Sequence, residues 1–404
     1  MENATFDVEL IPRRLARALV VAMVTAAGCG DDGEPSATSN EASSSETQTS
    51  GNDTETTGAP FAGRLLVTAD WRNKSLTLVD FDALAAGATT REEIVVGEIP
   101  LTDWEPGPLE VEVTPDGQRA VVAVSPGFFD GVIGNTIGVQ DVPLGGTLLV
   151  VDLMTREVVA DIATAHVPLG IAISADGSTA YTANYGHSDA PGSTMSVVDL
   201  NALTVTQDVE VGQRPEQVSL HPDGSLGIIN LAGDGTVVLF DPADPAGTLS
   251  TPLDLSADPS DVDFIPGTNR AVVANSLNPF TYSVIDVSDP SMPTHIADGM
   301  PPTGFPYAIT PVPGTTDFIM TLANDSIGLV RADATAPAMA KWDVAVDGVA
   351  SFPMGVAVDA GTGLAFVGAA GANVLVVQPL DGSAARTIPW LSEAGPTYVA
   401  IAGP

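Results

Sequence analysis

From residue 61 to the C-terminus, short runs of apolar and β-branched residues alternate with clusters of Gly, Asp, Asn, Ser and Pro. The best-defined stretch reads PLGIAISADGSTAYTANYG from Pro168, then MSVVDL from Met195 and VTQDVEVG from Val205. The next begins at Pro215 with PEQVSLHPDGSLGIINLAGDGTVVLFD. Each unit offers four short apolar stretches separated by turn residues, the pattern of a four-stranded antiparallel sheet. Long runs of helix formers at helical spacing are missing, so the pattern predicts an all-β chain.

The units repeat. Pro108, Pro168, Pro215, Pro259, Pro306, Pro353 and Pro396 each precede an apolar run, at intervals of 43 to 60 residues. A period of this size with four strands per unit indicates a β-propeller. Proline suits the first residue of a strand, which need not donate to the ladder. Asp116-Gly117, Asp176-Gly177 and Asp223-Gly224 sit where the first two strands of a unit must turn, and Gly there accepts a positive φ. Seven leading prolines predict seven four-stranded antiparallel blades. The last unit stops after one strand, YVAIAG at 398–403, while RLLVTAD at 64–70, SLTLVDF at 75–81 and EIVVGEI at 93–99 lack a first strand. The C-terminal strand should therefore join the N-terminal blade, removing the free edges of an open ring and making 61–404 one unit.

The N-terminal segment has a different pattern. Arg13, Arg14 and Arg17 precede an apolar run, Ala18 to Ala27, that is too short to span a bilayer. Residues 1–28 thus read as a signal peptide. The sequence Ala26-Ala27-Gly28-Cys29 resembles the lipobox of bacterial lipoproteins, with Ala26 where that family prefers Leu. The resemblance implies that Cys29, the sole cysteine, is lipidated and anchors the chain to a bacterial membrane, facing the periplasm or the cell surface. Residues 29–60 are Ser/Thr-rich and acidic, with almost no large apolar side chains, and read as a disordered tether.

The recurring P-x-x-apolar, D-G, A-Y-T-A-N and V-V-D elements, with Gly212 three residues ahead of Pro215, resemble the YVTN-type β-propeller repeat of secreted bacterial proteins. The likeness is strongest at 166–241 and weakest at 300–345. It implies an extracytoplasmic binding protein. Sequence-related seven-bladed propellers include lactone hydrolases, so it also implies a lactonase-like hydrolase as the alternative.

Charge narrows the partners. A formal net charge of −37, from 51 acids against 14 bases, repels nucleic acid and anionic lipid. Much of the acidity falls at turn positions. Asp80, Asp152, Asp199, Asp241 and Asp286 follow apolar runs, where an Asp side chain can cap the next turn. There is no H-E-x-x-H, G-x-S-x-G, Walker loop, haem motif or EF-hand, and His166, His187, His221 and His295 lack zinc spacing. No cofactor is expected. Asp258, Asp261 and Asp263, the last two on one strand face, are candidate calcium ligands.

In a propeller, the links between blades and between strands two and three share one face, called here the loop face. The longest such links run from Ser125 to Gly146, from Asn184 and from Asn275. They place Phe128, Phe129, Tyr185, His187, Asp189 and Phe280 as a contact surface for a partner, or else fold the aromatics Phe128, Phe129, Tyr185 and Phe280 down as plugs over the channel. The residues ahead of the leading prolines should ring the channel mouth: Trp104, Glu105, His166, Arg214, Asp258, Phe305 and Phe352. The expected function is an envelope-anchored binding module for a protein, glycan or small molecule. A hydrolase would place its site at the mouth, on His166, Glu105, Arg214 or Asp258.

Overall fold

A computed structural model describes residues 63–403, apart from 90, 97–106, 126–144, 188–189, 277–279, 302–303, 324–326, 336–339, 345–352 and 392–393. The signal peptide, Cys29 and the tether lie outside the described residues. So do Trp104, Glu105, Phe128, Phe129, Asp189 and Phe352, and of His187 the side chain.

The described chain forms strands β1 to β28 in seven four-stranded antiparallel sheets. The innermost strands are β4 (Pro108–Val113), β8 (Pro168–Ile173), β12 (Pro215–Leu220), β16 (Pro259–Ile265), β20 (Phe305–Pro311), β24 (Pro353–Asp359) and β28 (Pro396–Ala402). Each lies against the next, and β28 lies against β4, so they close a ring around a channel. All but β20 begin at their leading proline; β20 begins one residue earlier. The other three strands of the first blade are β1 (Leu65–Asp70), β2 (Ser75–Asp80) and β3 (Arg91–Val95). β28 pairs antiparallel with β1, Leu65 opposite Ala402, so the C-terminal strand completes the N-terminal blade. The core lies between neighbouring sheets. Val67, Leu76 and Leu78 of the first blade, for example, pack on Val111, Val122 and Leu149 of the second.

Local structure refines several expectations. The Asp-Gly pairs end four-residue turns rather than forming two-residue hairpins. The N–H of Gly117 bonds Thr114 O at 2.7 Å, and Gly117 takes φ 70°. The Asp side chains do cap turns. Asp152 Oδ1 accepts the N–H groups of Met154 and Thr155, both at 2.8 Å, and Asp80 accepts that of Ala83 at the start of a short helix, α1 (Phe81–Ala85). The apolar pattern gave no sign of α1, which has fewer than two turns. Much of the expected loop after Asn184 is strand. β9 (Thr179–His187) and β10 (Ala190–Asp199) continue to pair out to His187 opposite Ala190. A bulge at Gly192, where a Cβ would lie 1.7 Å from Asn184 O, makes this extension possible.

Candidate functional site: an acidic channel closed on the loop face

Every innermost strand breaks register with its neighbour just after its proline, as between Pro108 and Glu110, Pro168 and Ile171, and Pro259 and Asp261. A bulge of this kind leaves ladder N–H and C=O groups unpaired, and buried ones need other partners. Neighbouring blades supply them. Glu110 Oε1 accepts the N–H of Ile171 at 2.8 Å, and Asp261 Oδ2 that of Ile309 at 2.6 Å. Thr397 Oγ1 donates to Leu109 O at 2.6 Å, and Ser125 Oγ to Pro168 O at 2.5 Å.

Two tiers of side chains follow the bulge. Two residues after the proline stand Glu110, Gly170, Gln217, Asp261, Ala308, Gly355 and Tyr398; four residues after it stand Glu112, Ala172, Ser219, Asp263 and Thr310. The two glycines make room for neighbours. A Cβ on Gly170 would meet Gln217 Oε1 at 2.0 Å, and one on Gly355 would meet the Tyr398 ring at 2.6 Å. Through the first gap, Gln217 Nε2 reaches Glu110 Oε2 at 2.9 Å. These tiers enclose a cavity of about 230 Å³ lined by Glu110, Glu112, Gln217, Asp261, Asp263 and Tyr398 among others, with no lysine, arginine or histidine among its described lining residues.

Burial dominates the electrostatics. It pushes Glu112 up to about 8, with the Asp263 charge adding to it. It pushes Asp263 up to about 6, against hydrogen bonds from the Ser219 hydroxyl at 2.6 Å and the Phe264 N–H at 2.8 Å. Glu110 and Asp261 are driven well above the carboxylate range, again chiefly by burial.

The cavity opens away from the loop face. At the loop-face end of the innermost strands, Leu109 and Leu169 are 1% and 2% exposed, and Met354 and Thr397 are fully buried. Toward the opposite, hairpin face, Glu112, Ser219, Asp263 and Thr310 become partly exposed. Trp71, in the turn between β1 and β2, covers the loop-face end. It packs on Met354, Ala370 and Tyr398 to one side and on Leu109, Leu169 and Tyr185 to the other.

The expected mouth residues divide. Arg214 adopts φ 51° and sets its guanidinium 5.9 Å from the Tyr185 ring centroid. Tyr185 is only 3% exposed, so it belongs to this plug and not to an exposed contact patch. Phe280 is 39% exposed and packs against Phe305, ring centroids 5.9 Å apart, which joins one expected loop residue to one expected mouth residue. His166 is half-buried, Asp258 buried, and neither lines the cavity. The set Asp258, Asp261 and Asp263 does not converge as calcium ligands. Asp261 spends both its oxygens on the Val262 and Ile309 N–H groups, and Asp263 Oδ1 takes both the Ser219 hydroxyl and the Phe264 N–H. Among the described residues, no three His, Cys, Asp or Glu side chains are arranged to hold a metal.

Sequence reasoning missed Trp71, Arg72, Glu110, Glu112, Gln217 and Tyr398. The signal for four of them was present: Glu110 and Glu112 stand two and four residues after their proline, the register of Asp261 and Asp263, and Gln217 and Tyr398 share the first of those places.

The architecture is that of a β-propeller with four-stranded blades, and solved structures of that fold resemble it. The periplasmic gluconolactonase of Pseudomonas aeruginosa superposes with a TM-score of 0.63 at 14% identity, over 84% of this chain and 99% of that one. A functionally unknown protein from Desulfotomaculum acetoxidans gives 0.61 at 14% identity, with the same coverages of 84% and 99%. The hydrazine synthase of Kuenenia stuttgartiensis gives 0.55 at 17% identity, over 71% of this chain and 80% of that one. No family profile and no curated protein sequence matches the chain. At these identities the likeness is one of fold.

Proposed function

We propose that the protein is an envelope-anchored binding module that holds its loop face toward a protein or glycan partner. Cys29, lipidated after removal of residues 1–28, and the tether to residue 60 fix it to a bacterial membrane on the extracytoplasmic side. The observation that carries this reading is where the chain joins the propeller. Arg64 packs beside Gly403, and Gly403 lies against the Gly117 turn, on the hairpin face. A tether attached there leaves the loop face pointing away from the membrane. The Trp71 plug makes that face a surface rather than a pore, with the Arg72 guanidinium 5.2 Å from the Trp71 ring centroid and Phe280 exposed nearby on Phe305. Aromatic and arginine side chains are the usual anchors of such surfaces. The test is capture of envelope and secreted material by the full chain, with and without calcium. Deleting 126–144, or combining Arg72→Ala with Phe280→Ala, should abolish retention. Unchanged retention by both variants would remove the loop face from consideration.

The second reading is a lactonase-like hydrolase. Glu112 and Asp263, held at about 8 and about 6 in one cavity, are an acid and a base whose environments separate them. Its site would lie in the channel, reached from the hairpin face, and not at the mouth. Opening of any of a panel of aldonolactones by the wild type, with loss in Asp263→Asn, would establish it. Inertness toward the whole panel would dismiss it.

A further inference from the structure

The channel wall holds the ring together through carboxyl groups. Glu110 on β4 bonds the backbone of β8 and the side chain of Gln217 on β12, so it spans three blades. Asp261 on β16 bonds β20, and Asp263 on β16 bonds Ser219 on β12. Acid side chains thus link the second to the sixth blade in an unbroken series. They do so around a cavity that no described cation lines.

We propose that this channel is a proton-operated lock: with its acids neutral the innermost strands close on one another, and with its acids ionised the ring loosens at the hairpin face. Neutral carboxyls carry no mutual repulsion, and each keeps its carbonyl oxygen as an acceptor while its hydroxyl oxygen accepts only weakly. Ionised ones accept the same bonds but repel each other across a cavity of about 230 Å³ that no described cation lines, so their repulsion meets no opposite charge there.

The groups facing the cluster all act in one direction. β4 contributes Glu110 and Glu112, and β16 contributes Asp261 and Asp263. β12 contributes Glu216, whose charge acts on Asp261, beside the neutral Gln217 and Ser219. β20 and β28 contribute the phenols Tyr307 and Tyr398, and β8 presents no titratable side chain. On β24 the carboxylate is Asp359, at the strand's hairpin end, and it is occupied by Arg64 at 2.7 Å. Arg72 and Arg214 lie at the loop-face plug, on Trp71 and Tyr185.

The direction of the pH dependence follows. An unfolded carboxyl titrates near pH 4, as a rough reference value. The folded channel holds Asp263 to about 6 and Glu112 to about 8. Across that window the folded state binds more protons than the unfolded one, so stability falls as pH rises.

The experiment uses the full chain at constant ionic strength. Thermal melting from pH 5 to pH 9 should show a falling Tm in the wild type. The slope should be reduced in Glu112→Gln and in Asp263→Asn and reduced furthest in the double variant, which keeps only the part owed to Asp70, Glu110 and Asp261 and whose Tm at pH 9 should exceed the wild-type value. Asp176→Asn and Asp289→Asn, at exposed turn positions, control for the overall negative charge and should leave the slope above pH 6 intact. Hydrogen exchange on the wild type needs no variant to fold: protection in β4 and β16 should drop at least tenfold more between pH 6 and pH 9 than in the outermost strands, after correction for intrinsic rates. A Tm that is flat or rises with pH, a double variant that keeps the full slope, or uniform loss of protection would each overturn the lock.

Discussion

The third and fifth blades form from consecutive strands, whereas the first is completed from the far end of the chain. The same structural position is built differently in the two cases. At the end of the second strand of the third blade, Asn184 Nδ2 donates to Thr194 Oγ1 at 2.9 Å and Ser196 Oγ at 2.8 Å, and Ser196 Oγ donates on to Asp208 at 2.6 Å. In the fifth blade Asn275 does the same with Thr281 and Ser283, and Ser283 passes the chain to Asp298 at 2.7 Å. In the first blade that position holds Asp70. It only accepts: from Thr77 Oγ1 at 2.5 Å, from Thr68 Oγ1 at 3.0 Å and from the indole Nε1 of Trp390 at 3.0 Å. Trp390 lies just before β28, so this bond fastens the arriving C-terminal segment to the N-terminal strand. An interior blade needs a donor to order its own third strand. The closing blade needs an acceptor for a group that arrives from elsewhere. The consequence is a buried carboxyl, pushed up to about 7 by desolvation, with the Glu93 charge adding to it.

The arginines show the same difference. Arg119 joins the second and third blades through one bond, to Leu200 O at 2.8 Å. The seam between the seventh and first blades carries three arginines: Arg64 on Asp359, Arg386 on Leu84 O and Arg91 on Pro389 O. In a chain with 14 basic residues, that is a concentration of cations where closure has to be secured.

The largest expected effect comes from removing the fastener entirely. Deleting 396–404 strips β28 from the first blade and exposes the β1 edge. It also removes the Thr397 bonds to Ala69 and Leu109. Because the ring unfolds as one unit, the expected outcome is loss of the cooperative melt and aggregation, read by circular dichroism and size-exclusion chromatography. A variant melting cooperatively near the wild-type Tm would show that closure is dispensable. Next in size is Trp390→Ala, which empties a buried indole site against Phe81, Leu375 and Val399. It should cost about 3–5 kcal/mol in denaturant unfolding. Trp390→Phe should cost about 1–2 kcal/mol, since it retains most of the packing but takes a donor from Asp70.

The reverse exchange tests the interior rule. Asn184→Asp replaces a donor with an acid beside Ser196 and Asp208, where no indole approaches. It should destabilise by about 3 kcal/mol at pH 8, as a buried charge without a compensating partner does. The loss should shrink at pH 5, where the new carboxyl is held neutral. Equal losses at both pH values would mean that lost packing, not charge, sets the cost.

Much of this architecture was legible in the sequence. The leading prolines, the Asp-Gly turns and the unmatched strands at the two chain ends are local or arithmetic signals, and they determine the blades and their closure. The interior Asn184 was visible within the repeat as part of A-Y-T-A-N. The chain of bonds it starts was not, because Ser196 lies 12 residues away and Ser196's own partner Asp208 24 away, and both are identified only through the strand register. The site was less legible for a geometrical reason. Sequence order places residues at the loop face but does not say whether a side chain points outward or inward. Tyr185 was expected either on the surface or folded down over the channel, and only the structure decides for the plug, while Trp71, in a short turn, closes the channel from above. Asp261 and Asp263 were visible as a pair on one strand face, but that they meet Glu110 and Glu112 depends on blades far apart in sequence facing one channel.

The effect that is smallest at low pH is the most discriminating. Asp70→Asn installs the interior residue in the closing blade. An asparagine oxygen can still accept from the Trp390 indole, while its Nδ2 donates to Thr77, as Asn275 does to Ser283. Bonding is preserved, so the change at low pH should be under about 1 kcal/mol. The difference lies in titration. Asp70 is held to about 7 in the folded protein, and a free aspartate titrates near pH 4 as a rough reference. Between those values the folded wild type retains a proton that the unfolded chain has released, so wild-type stability falls as pH rises through the window and the Asn variant avoids that loss. The variant should therefore match or trail the wild type at pH 4, draw ahead by pH 7, and hold a constant lead above pH 8. A variant less stable at every pH would show that the carboxylate itself, and not merely an acceptor, fastens the ring.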